Sequence, residues 1–270
     1  MITARPVALV TGASSGIGKA AARRLAAAGF RVIGTSRRTA ELTPADDVTL
    51  LDLDVTSDES VTALIGQVIA RFGRIDVLVD NAGIGSAGAA EESSVAQARH
   101  LFDINVFGVM RMTNAVLPHM RAQGSGRIVN VSSVLGFVPQ PYMAVYAASK
   151  HAVEGYSESL DHEIREYGVR ALLVEPAWTS TAFDANSLQP DQPLQVYAAQ
   201  RQVFEEYMAE AVETGDDPET VAEAIVAAAT DPKPKPRYTV GRTGRVHTMR
   251  RLVPARIFDQ QLRKLNRLPA

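Results

Sequence analysis

The 270-residue chain contains no cysteine. Disulfides, thiolate nucleophiles and cysteine-ligated metal centres are therefore excluded by inventory. It also lacks any apolar run approaching the roughly 18 residues that a membrane span requires, so no transmembrane segment is expected. From Met1 the chain passes almost directly into an apolar β-branched run without a secretory-signal pattern, which makes a cytoplasmic location the expectation. Metal-ligand spacing is missing too. His162-Glu163 has no histidine three residues further on, and His100, His119, His151 and His247 stand apart, so each histidine reads as structural or exposed and no metal site is expected.

What is present is the composition of an ordinary globular protein, 46% hydrophobic and 21% charged, and it argues against disordered or collagen-like chains. The formal net charge is only −2, yet residues 235–270 contain ten Lys/Arg against the single acid Asp259. Residues 242–270 form a basic extension. It reads either as a surface for an anionic partner or, the favoured reading, as a solvated amphipathic helix whose cations balance an acidic body, with no nucleic-acid partner expected.

Short β-branched runs recur at Val7–Val10, Arg31–Thr35, Val48–Leu53, Ile75–Val79, Arg127–Val131 and Val169–Val174, each followed by a stretch with helical spacing. That alternation predicts an α/β fold: one doubly wound Rossmann-type domain over residues 1–270, with a mostly parallel sheet in order 3-2-1-4-5-6-7 and helices on both faces. Gly29 is the expected stop of the first helix, and Thr56 with Glu59 the expected capping box of the second. Residues 177–192 lack periodicity, and a loop of that length in a compact domain is usually functional. Residues 177–215 are read as a substrate lid, and residues 231–236, Asp-Pro-Lys-Pro-Lys-Pro, as a stiff connector to the last strand.

Directly after the first strand comes Thr11-Gly12-Ala13-Ser14-Ser15-Gly16-Ile17-Gly18, opening a helix. Glycines at 12, 16 and 18 let the backbone turn sharply and bring a pyrophosphate to free N–H groups at the helix start. The rival phosphate loop fails at two positions, because Ala13 stands four residues before Gly18-Lys19 and Ala20 replaces the hydroxyl that would meet magnesium. At the end of the second strand a carboxylate would hydrogen-bond a ribose 2′-hydroxyl, whereas this chain has Ser36-Arg37-Arg38. Two guanidiniums there favour NADP(H) over NAD(H).

Tyr146-Ala-Ala-Ser-Lys150 places a phenol and an ammonium on one face of a predicted helix. A nearby cation favours the phenolate and moves tyrosine toward the range of a general acid or base. Ser133 falls at the carboxyl edge of the fifth strand, where doubly wound sheets hold their ligands.

These motifs, together with Asn81-Ala82-Gly83 after the fourth strand and Asn105 in the next helix, resemble the short-chain dehydrogenase/reductase family over residues 5–185. The resemblance implies that Tyr146 exchanges a proton with the substrate oxygen, that Ser133 positions that oxygen, and that Lys150 binds the nicotinamide ribose and depresses the tyrosine pKa. Asn105 is similar to the family residue that holds a relay water. Cofactor contacts are implied for Gly12, Ser14, Ser15, Gly16, Ile17, Gly18, Arg37, Arg38, Asp54, Val55, Asn81, Ala82, Gly83, Lys150, Pro176, Thr179 and Thr181. Two departures stand out. Ala177 replaces the glycine of the family's Pro-Gly-x-x-x-Thr, and the basic extension replaces the glycine-rich ending of tetrameric members, so a dimer is expected over a tetramer if the chain assembles with itself.

The implied activity is reversible NADP(H)-linked interconversion of a ketone or aldehyde and an alcohol. Phe137, Val138, Pro139, Pro141, Tyr142 and Met143, with Trp178, Phe183 and Leu188 of the lid, form an apolar set suited to a lipophilic substrate. Alternatives within the resemblance are epimerisation or dehydration with the same cofactor. From another class, the chain could be a non-catalytic dinucleotide sensor or scaffold.

Overall fold

Strand β1 (Val7–Val10) is buried at all four positions, as an interior parallel strand covered on both faces requires. The computed structural model describes residues 5–40, 47–183 and 186–268, so residues 184–185 of the expected lid and 269–270 of the extension lie outside the described residues. Strands β2 (Arg31–Ser36), β3 (Val48–Asp52), β4 (Val77–Asp80), β5 (Gly126–Val131), β6 (Val169–Glu175) and β7 (Arg237–Thr239) join β1 in one parallel sheet, ordered 3-2-1-4-5-6-7 as expected. The fourth strand starts at Val77, two residues later than its apolar pattern suggested.

Alternate residues along each strand feed opposite cores, as a period of two dictates. Ala8, Val10, Val79, Val129 and Val174 face helices α1 (Gly16–Ala27) and α7 (Pro218–Thr230). Val7, Leu9, Leu78, Ile128 and Ala171 face α2 (Asp58–Phe72), α4 (Gly108–Gln123) and α5 (Ala144–Ile164). A third apolar cluster lies beyond the carboxyl ends of the strands, where α3 (Val95–Phe102) and α6 (Ala198–Glu213) meet the start of α5. Helices α8 (Thr243–Leu252) and α9 (Ala255–Leu265) form the basic extension. No described helix is long and apolar enough to cross a membrane.

Helix punctuation is partly as expected. Ala28 caps α1 and Gly29 follows at φ 96°, a left-handed position that glycine occupies without penalty. The start of α2 is a correction: Ser57, not Thr56, is the N-cap, and its hydroxyl accepts from Ser60 N. Thr56 is drawn away because its N–H and hydroxyl both donate to Asp54 Oδ1. Between α3 and α4 the helix widens into a π turn, Asp103–Phe107, which contains Asn105. Such turns often mark functional positions because they displace one side chain from the regular helical face.

Candidate active site

The order of strands reverses between β1 and β4, which opens a crevice at their carboxyl ends. Gly12 (φ 68°) and Gly16 (φ 51°) both adopt left-handed backbone there. Ser15 caps α1 without a side-chain capping bond, and the first turn of α1 carries no acid, so its N–H groups and dipole are left to favour an anion. The crevice floor is tied together by Thr11, whose hydroxyl oxygen accepts from Asn81 N at 2.9 Å and Ala82 N at 3.0 Å. Asn81 Nδ2 returns bonds to the carbonyls of Thr11 and Gly12.

Thr35, Ser36 and Arg37 continue the wall at the end of β2, with Asp54 opposite. The Asp54 carboxylate is held below its ordinary range by the Thr56 hydroxyl and N–H, with smaller contributions from Arg37 and Arg111. No carboxylate stands at the end of β2 itself, where a 2′-hydroxyl would be read.

At the other end of the crevice α5 delivers Tyr146 and Lys150, both buried, one helical turn apart. Lys150 Nζ donates to Val131 O at 2.8 Å and lies 5.7 Å from the Tyr146 ring centroid. Burial lowers its pKa to about 8, opposed by the Glu154 carboxylate a further turn along α5. Ser133 lies just past β5 as the N-cap of the 3₁₀ turn Val134–Gly136; its oxygen accepts from Leu135 N at 3.1 Å, leaving its proton available to donate. Beneath Lys150, Arg237 of β7 forms ion pairs with Glu154, Glu175 and Glu158.

The glycine turn, Arg37, Asp54, Ser133, Tyr146 and Lys150 border one cavity of about 390 Å³. Of the residues named from sequence, Tyr146, Lys150 and Ser133 line it, as do all the cofactor positions except Gly18 and Arg38. Gly18 serves packing instead. A Cβ there would fall 2.2 Å from the Gly12 carbonyl oxygen and 2.4 Å from Asn81 Nδ2, so glycine lets α1 close onto the crevice floor. Asn105 also stays outside the cavity wall. Its Oδ1 accepts from Ile84 N and its Nδ2 donates to Ile84 O, both at 2.9 Å, which braces the segment after β4.

The apolar set divides. Met143, Trp178 and Phe183 line the cavity, and the Phe183 ring sits 5.8 Å from that of Tyr146. Leu188 and Tyr142 pack in the adjoining cluster, Tyr142 against Phe204, while Phe137 meets His247 edge-on. Ile84, Ile104 and Ser132 also line the cavity without having been singled out from the sequence, as does His100 on α3, while Asn186 falls within the expected lid; His100 read as structural or exposed because nothing local distinguishes it from the rest of an amphipathic helix.

Residues 188–201, none of which lines the cavity, are strapped to the segment between β4 and α3. Leu188 N donates to Gly85 O, Ser94 N and Oγ bind Asp191, and the solvent-inaccessible Glu92 accepts from Leu194 N and pairs with Arg201.

A family model described as short chain dehydrogenase matches residues 6–192. The chain is 35% identical over 281 residues to an uncharacterized oxidoreductase of Bacillus subtilis, YusZ, with 96% of this chain and 98% of that protein covered. It is 43% identical over 180 residues to 3-ketodihydrosphingosine reductase of Bacteroides thetaiotaomicron, covering 67% of this chain and 66% of that one. Among solved structures, a short-chain dehydrogenase from Streptomyces avermitilis matches with a TM-score of 0.83 at 36% identity, over 97% of this chain and 98% of that one. Two structures at 28% identity were solved with a nucleotide. One is a short chain dehydrogenase/reductase of Burkholderia phymatum in complex with NAD, with a TM-score of 0.79 and coverage of 96% and 97%. The other is the closed form of serine dehydrogenase complexed with NADP+, with a TM-score of 0.74 and coverage of 87% and 94%. Structural neighbours thus bind both nicotinamide dinucleotides.

Proposed function

Because the chain belongs to the short-chain dehydrogenase/reductase family and is an NAD(P)-dependent oxidoreductase by that membership, we propose that it is an NADP(H)-linked carbonyl reductase for an apolar ketone or secondary alcohol. The observation that carries this reading is one continuous cavity with an anion cradle at one end and buried Tyr146, Lys150 and Ser133 at the other.

The residues fit a dinucleotide. Gly12 and Gly16 turn the backbone in left-handed conformation at an acid-free helix start, whose free N–H groups would hold a pyrophosphate. Arg37 supports a 2′-phosphate, and Asn81, Ala82, Gly83 and Thr179 flank the way to Lys150. When bound, the reduced cofactor supplies the hydride.

The chain's own part is proton transfer and orientation. Ser133 Oγ–H donates to the substrate oxygen, and Tyr146 Oη–H gives that oxygen its proton. The Lys150 ammonium, fixed by Val131 O, favours the phenolate that remains. Phe183 and Trp178 exclude water from the reacting face, and with Met143 they support an apolar substrate. The name of the Bacteroides relative, a keto reductase, agrees with that choice.

A panel of ketones assayed with NADPH and NADH tests the reading. Tyr146→Phe is expected to lower kcat by about 10²- to 10⁴-fold, the usual weight of a positioned general acid, with NADPH affinity retained. Turnover at the parent rate in that variant would show that the phenol is not the acid.

A further inference from the structure

The basic extension does not behave as a purely polar, solvated face. Leu252 is 77% exposed and Leu265 59% exposed, and Met249 and Ile257 also stand in solvent. At 100° per residue, α9 gathers Phe258, Leu262 and Leu265 on one side and Arg256 and Arg263 on the other, with Ile257 and Lys264 side by side at the boundary. Phe258 and Leu262 are half-buried, so only the middle of the apolar side is covered and its rims remain in water beside the cations. Residues 242–268 carry eight Arg/Lys and one acid.

From these features we infer that α8 and α9 form a docking surface for an anionic phospholipid bilayer. An interfacial helix needs this juxtaposition: aliphatic side chains enter the acyl boundary while neighbouring guanidiniums and ammoniums meet lipid phosphates. A nucleic acid would meet the cations through its phosphates but would leave the exposed Leu252, Ile257 and Leu265 without an apolar partner, and Phe258, half-buried under Arg250, is not free to stack on a base. A second copy docking symmetrically through the same patch would bring like-charged surfaces together, because a two-fold interface presents each patch to itself.

The surface is held in a fixed orientation. Asn266 bonds Gln140, Gln200 Nε2 donates to Arg267 O, and Arg267 pairs with Glu210 at 2.7 Å, which fastens the end of α9 against α6. The buried side of α6, Phe204 and Met208, belongs to the apolar cluster beside Tyr146. A bilayer bound at α9 would therefore lie next to the helix that shares this apolar cluster with Tyr146.

Flotation of the full chain with vesicles of phosphatidylcholine, with and without phosphatidylglycerol, tests the inference. Partitioning is expected to be at least about tenfold stronger with phosphatidylglycerol and to fall as salt is raised, because exposed charges are screened within about 10 Å at 0.1 M. The double variants Ile257→Asp/Leu265→Asp and Arg256→Ser/Lys264→Ser should each lose about tenfold in partitioning while the melting temperature is kept. Equal partitioning into both vesicle types, or none, overturns the inference, as does partitioning unchanged in variants that melt like the parent. Concentration-dependent dimers in sedimentation velocity, lost in the aspartate variant and without vesicle binding, would assign the patch to a second copy instead. If a variant fails to fold, the lipid and salt dependence of the parent chain still decides. Because the readout is partitioning, its failure is separate from any failure of the reductase reading.

Discussion

A guanidinium can meet a phosphate through two parallel N–H···O contacts, a geometry an ammonium cannot copy. Arg37 is placed to do so, lining the cavity beside Ser36 with Asp54 across from it. Replacing it by alanine should raise KM for NADPH by about 10- to 100-fold, the value of one or two charge-assisted hydrogen bonds, and leave KM for NADH within about twofold. Steady-state kinetics with both cofactors decide this, and equal losses for the two would mean that Arg37 does not read the 2′ position. At this scale the sequence was informative about residue types and silent about which neighbour of a pair faces the site. Arg37 and Arg38 are indistinguishable as letters, yet only the first borders the cavity. The three glycines of the cradle likewise read as one motif, although Gly12 and Gly16 supply left-handed turns and Gly18 supplies clearance for α1.

Elements were legible where the pattern is local. Continuous apolar runs alternating with helical spacing specify buried parallel strands, and strand order follows from right-handed crossovers. The N-cap slipped by one residue because Asp54 competes for Thr56, a contact that no periodicity reports. Least legible was the strap of residues 188–201 onto the segment after β4, since Glu92 and Arg201 lie 109 residues apart. Burial pushes the Glu92 pKa up, but the N–H groups of Leu194 and Ala89 and the Arg201 guanidinium outweigh it and leave the carboxylate below its ordinary range. A lowered pKa means that this contribution is present above the ordinary carboxylate range and is lost as pH falls through the lower folded value. Glu92→Gln should therefore loosen residues 188–201, because the amide cannot replace a carboxylate that accepts from three donors and leaves Arg201 unneutralised. Amide hydrogen exchange should quicken at Leu194 while β1 and β4 keep their protection. Unchanged exchange at Leu194 would mean that the strap does not depend on this pair.

Across the whole molecule, one charge cluster joins α5 to the last strand and the start of the extension. Arg237 of β7 holds Glu154 and Glu158 of α5 and Glu175 of β6, with His247 of α8 and Lys150 close enough to feel the same charges. These partners are 62 to 83 residues apart in pairs with Arg237, so only the fold brings them together. Burial, and then the neighbouring Glu175, push the Glu154 pKa up to about 7, against the pull of Ser132 and Arg237. The folded value exceeds the unfolded one, so the stabilising effect is complete below the unfolded carboxylate range and disappears as pH rises through about 7. Lys150 runs the other way: its value is lowered by burial, so its destabilising effect is present below about 8 and is relieved as pH rises toward the ordinary lysine range. Together they place a stability minimum near pH 7 to 8, where both groups are buried in charged form. Glu154→Gln removes the carboxylate's part. Denaturant midpoints of the parent should fall between pH 5 and 8 by an amount equivalent to on the order of 1 kcal/mol. In the variant that decline should flatten while the recovery above pH 8 persists. An identical decline in both proteins would show that Glu154 keeps an ordinary carboxylate in the fold and that the decline comes from Glu175, whose pKa burial also raises.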